Sequence, residues 1–347
     1  MRRLCALLSA VLVMIPLVPG TAQADDSVAY ERVAYAKPTT MVESPDDPVG
    51  SVRATLALGT VAAGTSLNLS SELVVGDGRA DGAPSRVAVG HKITCQEVGG
   101  TTLADGQIWS GQNLLANQQN QKLVVRMLFT PATTGNYECL LRAYLNSGLV
   151  PGRETARLVS GFVAVIDSPA GPVAQSFGPS SNTHIALDVP GLQLHPVDYQ
   201  PLPGATSFLA ITDVYVTSCY SGGGDACGAG SYPASGTARV RFRTVATPSS
   251  TAPGCTVQAS PFTTTAVTHS VHHRRILGQL TVTQPAAGCG TWRITAFAED
   301  ADGTLPFVIH GIHHGVTYAR PPSSAPSSTP GEVAEEPPAI RRRGPDD

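Results

Sequence analysis

Strand periodicity recurs through the middle of this chain, and helical periodicity does not. Segment 122–130 reads KLVVRMLFT, 137–144 reads YECLLRAY and 292–297 reads WRITAF. Such short β-branched and aromatic runs return every ten or so residues, separated by clusters of Gly, Pro, Asn and Asp. No window of about 12 residues carries an apolar stripe at the 3.6-residue period. A chain of this pattern buries its apolar side chains between sheets, so the fold class is all-β.

The first 24 residues have the form of a signal peptide. Arg2 and Arg3 open it, an apolar run follows from Leu4 to Val18, and Ala22-Gln23-Ala24 is a small-x-small cleavage site. That run is shorter than the about 20 apolar residues of a membrane span. No later segment is apolar enough to cross a bilayer, so the sequence predicts a secreted chain without a span. Of the seven cysteines, Cys5 leaves with the signal and Cys95, Cys139, Cys219, Cys227, Cys255 and Cys289 remain. An even count in an exported chain, with no CxxC pair to suggest a metal-thiolate site, points to disulfides. Loss of Arg2 and Arg3 moves the formal net charge from −3 to −5. With no Lys/Arg stripe, nucleic acid is not an expected partner. Lysine occurs only at 37, 92 and 122 while arginine and alanine are plentiful, which reads as the coding bias of a high-GC bacterium.

Residues 25–50 are polar and carry Pro38, Pro45 and Pro48, and are expected to be an extended leader. From 321 to 347 the chain is rich in Pro, Ser and Glu, with too little apolar surface to offset the entropy of ordering; this tail is expected to be disordered. Between them the chain repeats itself. Segment 131–137, PATTGNY, has a counterpart in 285–292, PAAGCGTW; upstream, KLVVRMLFTP matches ILGQLTVTQP; downstream, LVSGFVAV matches VIHGIHHGV, with Gly161 opposite Gly311. Three matches in the same order predict one domain type used twice, over 51–168 and 205–320, with a Pro/Gly-rich linker at 169–204.

Cys95 lies in the strand-like run HKITCQEV, Trp109 follows fourteen residues on, and Gly135-Asn136-Tyr137-Glu138-Cys139 comes next. This resembles the immunoglobulin fold, with a Cys on strand B, a Trp on strand C and G-x-Y-x-C opening strand F. The resemblance implies two immunoglobulin-like β-sandwich domains. It also implies a Cys95–Cys139 bridge between facing sheets with Trp109 packed against it, and a tyrosine corner at Tyr137. The family's acidic residue two before the motif glycine is Thr133 here. In the second domain Trp292 takes the place of Tyr137, and Cys289 sits ahead of strand F. Its expected partner is Cys255, a bridge at one end of the sandwich, and Cys219–Cys227 is expected to clip the short loop YSGGGDA.

Catalytic signatures are missing: there is no G-x-S-x-G elbow, HExxH helix, S-x-x-K set or Walker loop, and Gly222-Gly223-Gly224 is not followed by a helix. The expected function is therefore a non-enzymatic binding, adhesion or structural module whose partner is a protein or glycan at the cell surface or outside the cell. No cofactor is required by this reading. Histidine is the uneven feature, because six of nine fall in two H-x-x-H-H runs: His269, His272, His273 and His310, His313, His314. In an immunoglobulin order these strands run the same way on opposite sheets, with both runs near one end. Neutral imidazoles ligate zinc or copper, so the first alternative is an exported metal-binding protein using these residues. A solvated polar patch and a pH-responsive one are the other readings of the same histidines. The second alternative for the whole chain is a hydrolase whose site assembles across the two domains.

Overall fold

The computed structural model describes residues 30–42, 51–77, 88–100, 103–114, 119–146, 155–178, 181–188, 190–221, 227–228, 230–311 and 313–322. The expected signal peptide and the tail from 323 onward lie outside them. Among the described residues the numbered elements are all strands, and they pair antiparallel.

The first eight strands are β1 (Tyr30–Val42), β2 (Ser51–Val61), β3 (Leu67–Asp77), β4 (Ala88–Glu97), β5 (Leu103–Asn113), β6 (Gln121–Phe129), β7 (Gly135–Asn146) and β8 (Thr155–Asp167). They form two four-stranded sheets ordered β1-β8-β3-β6 and β2-β7-β4-β5. Alternation along each strand aims one set of side chains inward. Leu69, Leu73 and Val75 on β3, Val89, Ile93 and Cys95 on β4, and Val125, Met127 and Phe129 on β6 are all fully buried in one core. The expected leader is thus partly inside the fold, since β1 pairs with β8 along its length. The register shifts between Ala34 and Thr39, a stretch holding Pro38, which has no N–H to give to a ladder.

The remaining strands are β9 (Ala174–Ser176), β10 (Thr183–Ile185), β11 (Leu192–Tyr199), β12 (Ser207–Ser218), β13 (Thr237–Pro248), β14 (Gln258–Ala259), β15 (Thr263–Thr268), β16 (His273–Thr283), β17 (Trp292–Asp300), β18 (Phe307–Ile309) and β19 (Val316–Arg320). Three pairs run in tandem. β18 and β19 share one edge of β12, β9 and β10 lie outside them, and β14 and β15 share one edge of β13. Counting each pair as one broken strand gives the orders β9/β10-β18/β19-β12-β16 and β11-β17-β13-β14/β15. Position for position these repeat the two sheets of the first sandwich. The repeat seen in the sequence falls on corresponding strands, β6 with β16, β7 with β17, and β8 with β18/β19. The expected linker, in contrast, contains β9, β10 and β11.

All-β sandwiches are what the chain forms, but the strand order corrects the finer resemblance. In an immunoglobulin sandwich the two bridged strands lie in opposite sheets. Here Cys95 and Cys139 are direct partners on neighbouring strands of one sheet, with Cα atoms 4.1 Å apart. Apart from the β4–β5 hairpin, successive strands swap sheets and the first lies beside the last, which is a jelly-roll wrap. Trp109 is displaced for the same reason. It pairs with Lys92, while Ile108 pairs with Ile93, so Trp109 lies on the face opposite the one carrying Ile93 and Cys95. Spacing along a chain gives strand lengths, not sheet membership. The tyrosine corner is present, with the Tyr137 hydroxyl donating to the Thr133 carbonyl at 2.8 Å. Cys219 is bonded to Cys227 and Cys255 to Cys289.

Candidate functional site

The two sandwiches meet where the sheet β9-β19-β12-β16 lies across the open β5–β6 edge of the first. Segment 207–218, SFLAITDVYVTS, is buried almost throughout. A strand covered on one side alternates, whereas a strand covered on both reads as a continuous apolar run. Phe208, Ala210, Val214 and Val216 face the second sandwich's own core. Ile211 faces the other way and joins Val316 and Tyr318 in the first sandwich's core. Unpaired edge backbone is closed by the same sheet. The Trp109 N–H donates to the His313 carbonyl at 2.7 Å, and Arg275 Nη1 donates to the Trp109 carbonyl at 2.6 Å. The Gln175 amide holds both backbone groups of Leu128 on β6, at 2.7 and 2.9 Å. Arg320 reaches Asp167 at 3.0 Å.

Most of the predicted histidines gather at this seam. β16 and β18 flank β12 in one sheet, not opposite sheets, which is what brings the two runs together. His273 Nδ1 and His310 Nε2 both lie on the Thr217 hydroxyl, at 2.7 and 2.6 Å. Their rings and that of His314 surround Tyr215, at centroid distances of 5.5, 4.6 and 5.5 Å. His314 also lies 5.5 Å from the Trp109 ring. His272 stacks near His273, and its backbone N–H crosses to Asn113 Oδ1 at 3.0 Å. The remaining two diverge: His269 is exposed beside Tyr220, and the His313 ring lies by Phe177.

Burial sets the chemistry of the cluster. Desolvation pushes His310 down to about 3 and His314 to about 4, and it holds His273 well below the usual imidazole range. His91, which meets Ser71 Oγ at 2.9 Å inside the first sandwich, and His195, on a bulge of β11, fall by the same cause to about 3 and about 4. These rings are neutral at pH 7. Beside them Asp213 is buried and bound to Arg275 Nε at 2.6 Å; burial raises its carboxyl and Arg275 pulls it back. For a metal the fit is poor. Among the described residues no three His, Cys, Asp or Glu side chains come together in a way that could hold an ion, and the nitrogens of His273 and His310 converge on a hydroxyl.

A second constellation lies on the outer face of the β11-β17-β13 sheet, and sequence reasoning passed over it. The Arg241 and Arg243 guanidiniums lie over the Phe262 ring, 3.9 and 4.2 Å from its centroid, and Arg243 lies 5.2 Å from the centroid of Phe297. Glu299 binds Arg241 at 3.1 Å. Arg243 Nε has no hydrogen-bond partner. Gly191 makes room for the Phe297 ring, which a Cβ there would meet at 2.2 Å. The first sandwich has the same feature in the same place. Tyr137 pairs with Glu97 and Trp292 with Pro248, so stepping back five residues along each partner strand sets Lys92 opposite Arg243 in the repeat. Lys92 lies over the Trp109 ring at 4.3 Å. The difference is what lies over it: Lys92 is 2% exposed, whereas Arg243 is half-buried and its neighbour on the same face, Arg241, is exposed.

No family model matches this chain, and no curated protein matches it. Solved structures with similarity include the N-terminal CBM22-1–CBM22-2 tandem domain of Paenibacillus barcinonensis Xyn10C, at 10% identity and a TM-score of 0.24, covering 86% of this chain and 99% of that one. Infectious bursal disease virus, Gx strain, gives 11% and 0.27, covering 87% and 75%. The stem and receptor-binding domain of the spike protein P1 of bacteriophage PM2 gives 10% and 0.24, covering 78% and 96%. None reaches a TM-score of 0.5, and the ligand reading rests on this chain's own residues.

Proposed function

We propose that this chain is an exported, non-enzymatic binding module whose ligand face is the open Arg241–Phe262–Arg243–Phe297 surface of the second sandwich. One observation carries the reading: of two equivalent cation–aromatic pairs, Lys92–Trp109 lies against the other sandwich, whereas the half-buried Arg243–Phe262 pair lies on the outer face of the second sandwich beside the exposed Arg241. Lys92–Trp109 already serves as a contact surface, receiving the loop that bears His313 and His314. Three disulfides suit a chain that works outside the cell.

The face is the outer surface of a sheet on which Arg241 is bound by Glu299 while Arg243 Nε has no hydrogen-bond partner. It suits a partner that sets carboxylates beside apolar surface, and an acidic glycan meets both needs. Guanidinium and ring contacts of this type contribute about 0.5–2 kcal/mol each. Catalysis is supported by nothing comparable. The depression lined by Gln200, Pro203, Gln284 and Gly288 holds no titratable side chain, and the buried acid of the seam, Asp213, is engaged by Arg275.

Binding of the mature chain to arrays of neutral and carboxylated glycans tests the proposal. Carboxylated glycans should be retained, and Arg243→Ala should weaken them by about tenfold or more, as the loss of about 1.4 kcal/mol requires. Equal binding by wild type and Arg243→Ala, or retention of an acidic protein alone, would remove the glycan assignment.

A further inference from the structure

We propose that the seam between the two sandwiches is an acid-released latch, in which protonation of His273, His310 and His314 frees the β5–β6 edge while the second sandwich stays folded. This inference is independent of the ligand face. Its basis is placement: the three rings surround Tyr215 at a contact between two bodies, each tied by its own disulfides.

The charges facing the rings make added protons costly. β16 contributes Arg275, with His272 immediately preceding that strand, β12 contributes Asp213 and Tyr215, and β11 contributes His195. From the first sandwich come Lys92 and His91 on β4, Arg126 on β6 and Tyr144 on β7. The loop before β19 adds His313. Arg275 acts on His91, His195 and His314, Lys92 on His313, and Arg126 on Asp213. Arg320 and Asp167 neutralise one another at the far end of the seam. Near the rings Arg126 and Arg275 both act on the carboxylate of Asp213, which Arg275 binds at 2.6 Å. A proton on His310 adds positive charge in a site where desolvation is already the largest influence on the ring.

Geometry gives each proton a route to opening. Thr217 Oγ1 has one hydrogen for the two nitrogens of His273 and His310, so one ring accepts and the other donates. Protonating the accepting ring reverses that bond, so both rings donate to the oxygen and the hydroxyl hydrogen loses its acceptor. Protonated His314 must be hydrated, and the way to water is separation from Trp109 and Tyr215. Released, β5 loses the His313 carbonyl and Arg275, and β6 loses Gln175. Two unpaired strand edges are then presented to solvent or to another sheet.

The two tryptophans report the two events separately. Trp109 lies at the seam, and Trp292 is fully buried in the second sandwich with its Nε1–H on Gln284 Oε1 at 2.8 Å. The mature chain is titrated from about pH 7 to about pH 3, a window spanning the imidazole range. Three readouts are followed: Trp109 emission in Trp292→Phe, Trp292 emission in Trp109→Phe, and the radius of gyration of the unsubstituted chain by X-ray scattering. The expected result is an increase in radius, together with the Trp109 change, at a higher pH than any Trp292 change. His314→Gln should shift opening to lower pH and reduce the protons taken up from about three to about two. If Trp292→Phe does not fold, scattering on the unsubstituted chain and on His314→Gln still decides. A radius that stays constant until Trp292 changes would overturn the proposal, as would an opening pH unmoved by His314→Gln.

Discussion

The β5–β6 edge of the first sandwich and the β14/β15–β16 edge of the second are the same place in the same strand order, closed by different means. On β6 the backbone of Leu128 is held by the amide of Gln175, which arrives from β9 of the other sandwich. On β16 the backbone of Thr283 is held by the amide of Gln258, from the second sandwich itself, at 3.0 and 2.6 Å. The first edge also receives Ile211, Val316 and Tyr318 into its core, so its interior is completed by a neighbour. Exposed edges recruit strands from other chains unless they are blunted. Self-closure at the second edge gives the pairing of sandwiches a natural end, and it makes the first sandwich the dependent partner.

Acid is the strongest way to break this asymmetry. Each buried histidine is neutral when folded and titrates near 6.5 when exposed, so the unfolded chain binds more protons and stability falls with pH. The contribution is intact above 6.5 and is lost as pH drops toward about 4 and about 3, the values held by His314 and His91. His91 alone withdraws about 5 kcal/mol across that window. The melting temperature should therefore fall steeply below about pH 6, and thermal scans across pH read the slope directly. A flat profile down to pH 4 would mean that the rings gain water without unfolding.

The seam ion pair comes next. Arg275→Ala leaves Asp213 buried without its partner, a loss of about 3–5 kcal/mol. Although Arg275 belongs to the second sandwich, hydrogen exchange should accelerate first at the backbone of β5 and β6. Acceleration confined to β12 and β16 would show that the first sandwich closes its own edge.

Bridges separate the two bodies at a similar scale. Cys95→Ala/Cys139→Ala opens a loop of 44 residues and Cys219→Ala/Cys227→Ala one of 8. Chain entropy gives losses of about 4 and about 2.5 kcal/mol. Urea unfolding of each variant should rank them in that order, the first acting on the first sandwich.

The smallest effect is the most direct comparison. Gln175→Ala removes two part-buried backbone contacts and should cost about 1–2 kcal/mol. Gln258→Ala removes a matching pair at an exposed edge and should cost less than about 1 kcal/mol, since water replaces the amide. Equal losses would remove the distinction between a borrowed cap and an internal one.

Local chemistry made several features readable from sequence. Period-2 runs broken by Gly and Pro announced strands, an even cysteine count after an export signal announced disulfides, and Tyr137 marked its corner. The repeat was readable because β6, β7 and β8 each have a counterpart of like pattern. Strands β9, β10 and β11 were not: AQS and THI are three residues each, sit among Gly and Pro, and become strands only through their partners β19 and β18. The histidine runs were visible as a cluster, but their meeting depends on β12 lying between them. Asp213 and Tyr215 were its unread signal, a polar pair inside a strand apolar on both sides.

Sequence by itself determined what each segment could be: strand, turn, bridge half or core face. Side-chain period and backbone preference act within a few residues and need no knowledge of the rest of the chain. Tertiary structure alone decided which sheet each strand joined. That choice set the Cys95–Cys139 bridge within one sheet instead of across two, turned Trp109 outward to the seam, and left Arg243 on an outer face where Lys92 is covered. Sheet membership is a contest among distant edges of similar local chemistry, and it is settled by which pairing closes the most apolar surface and backbone at once.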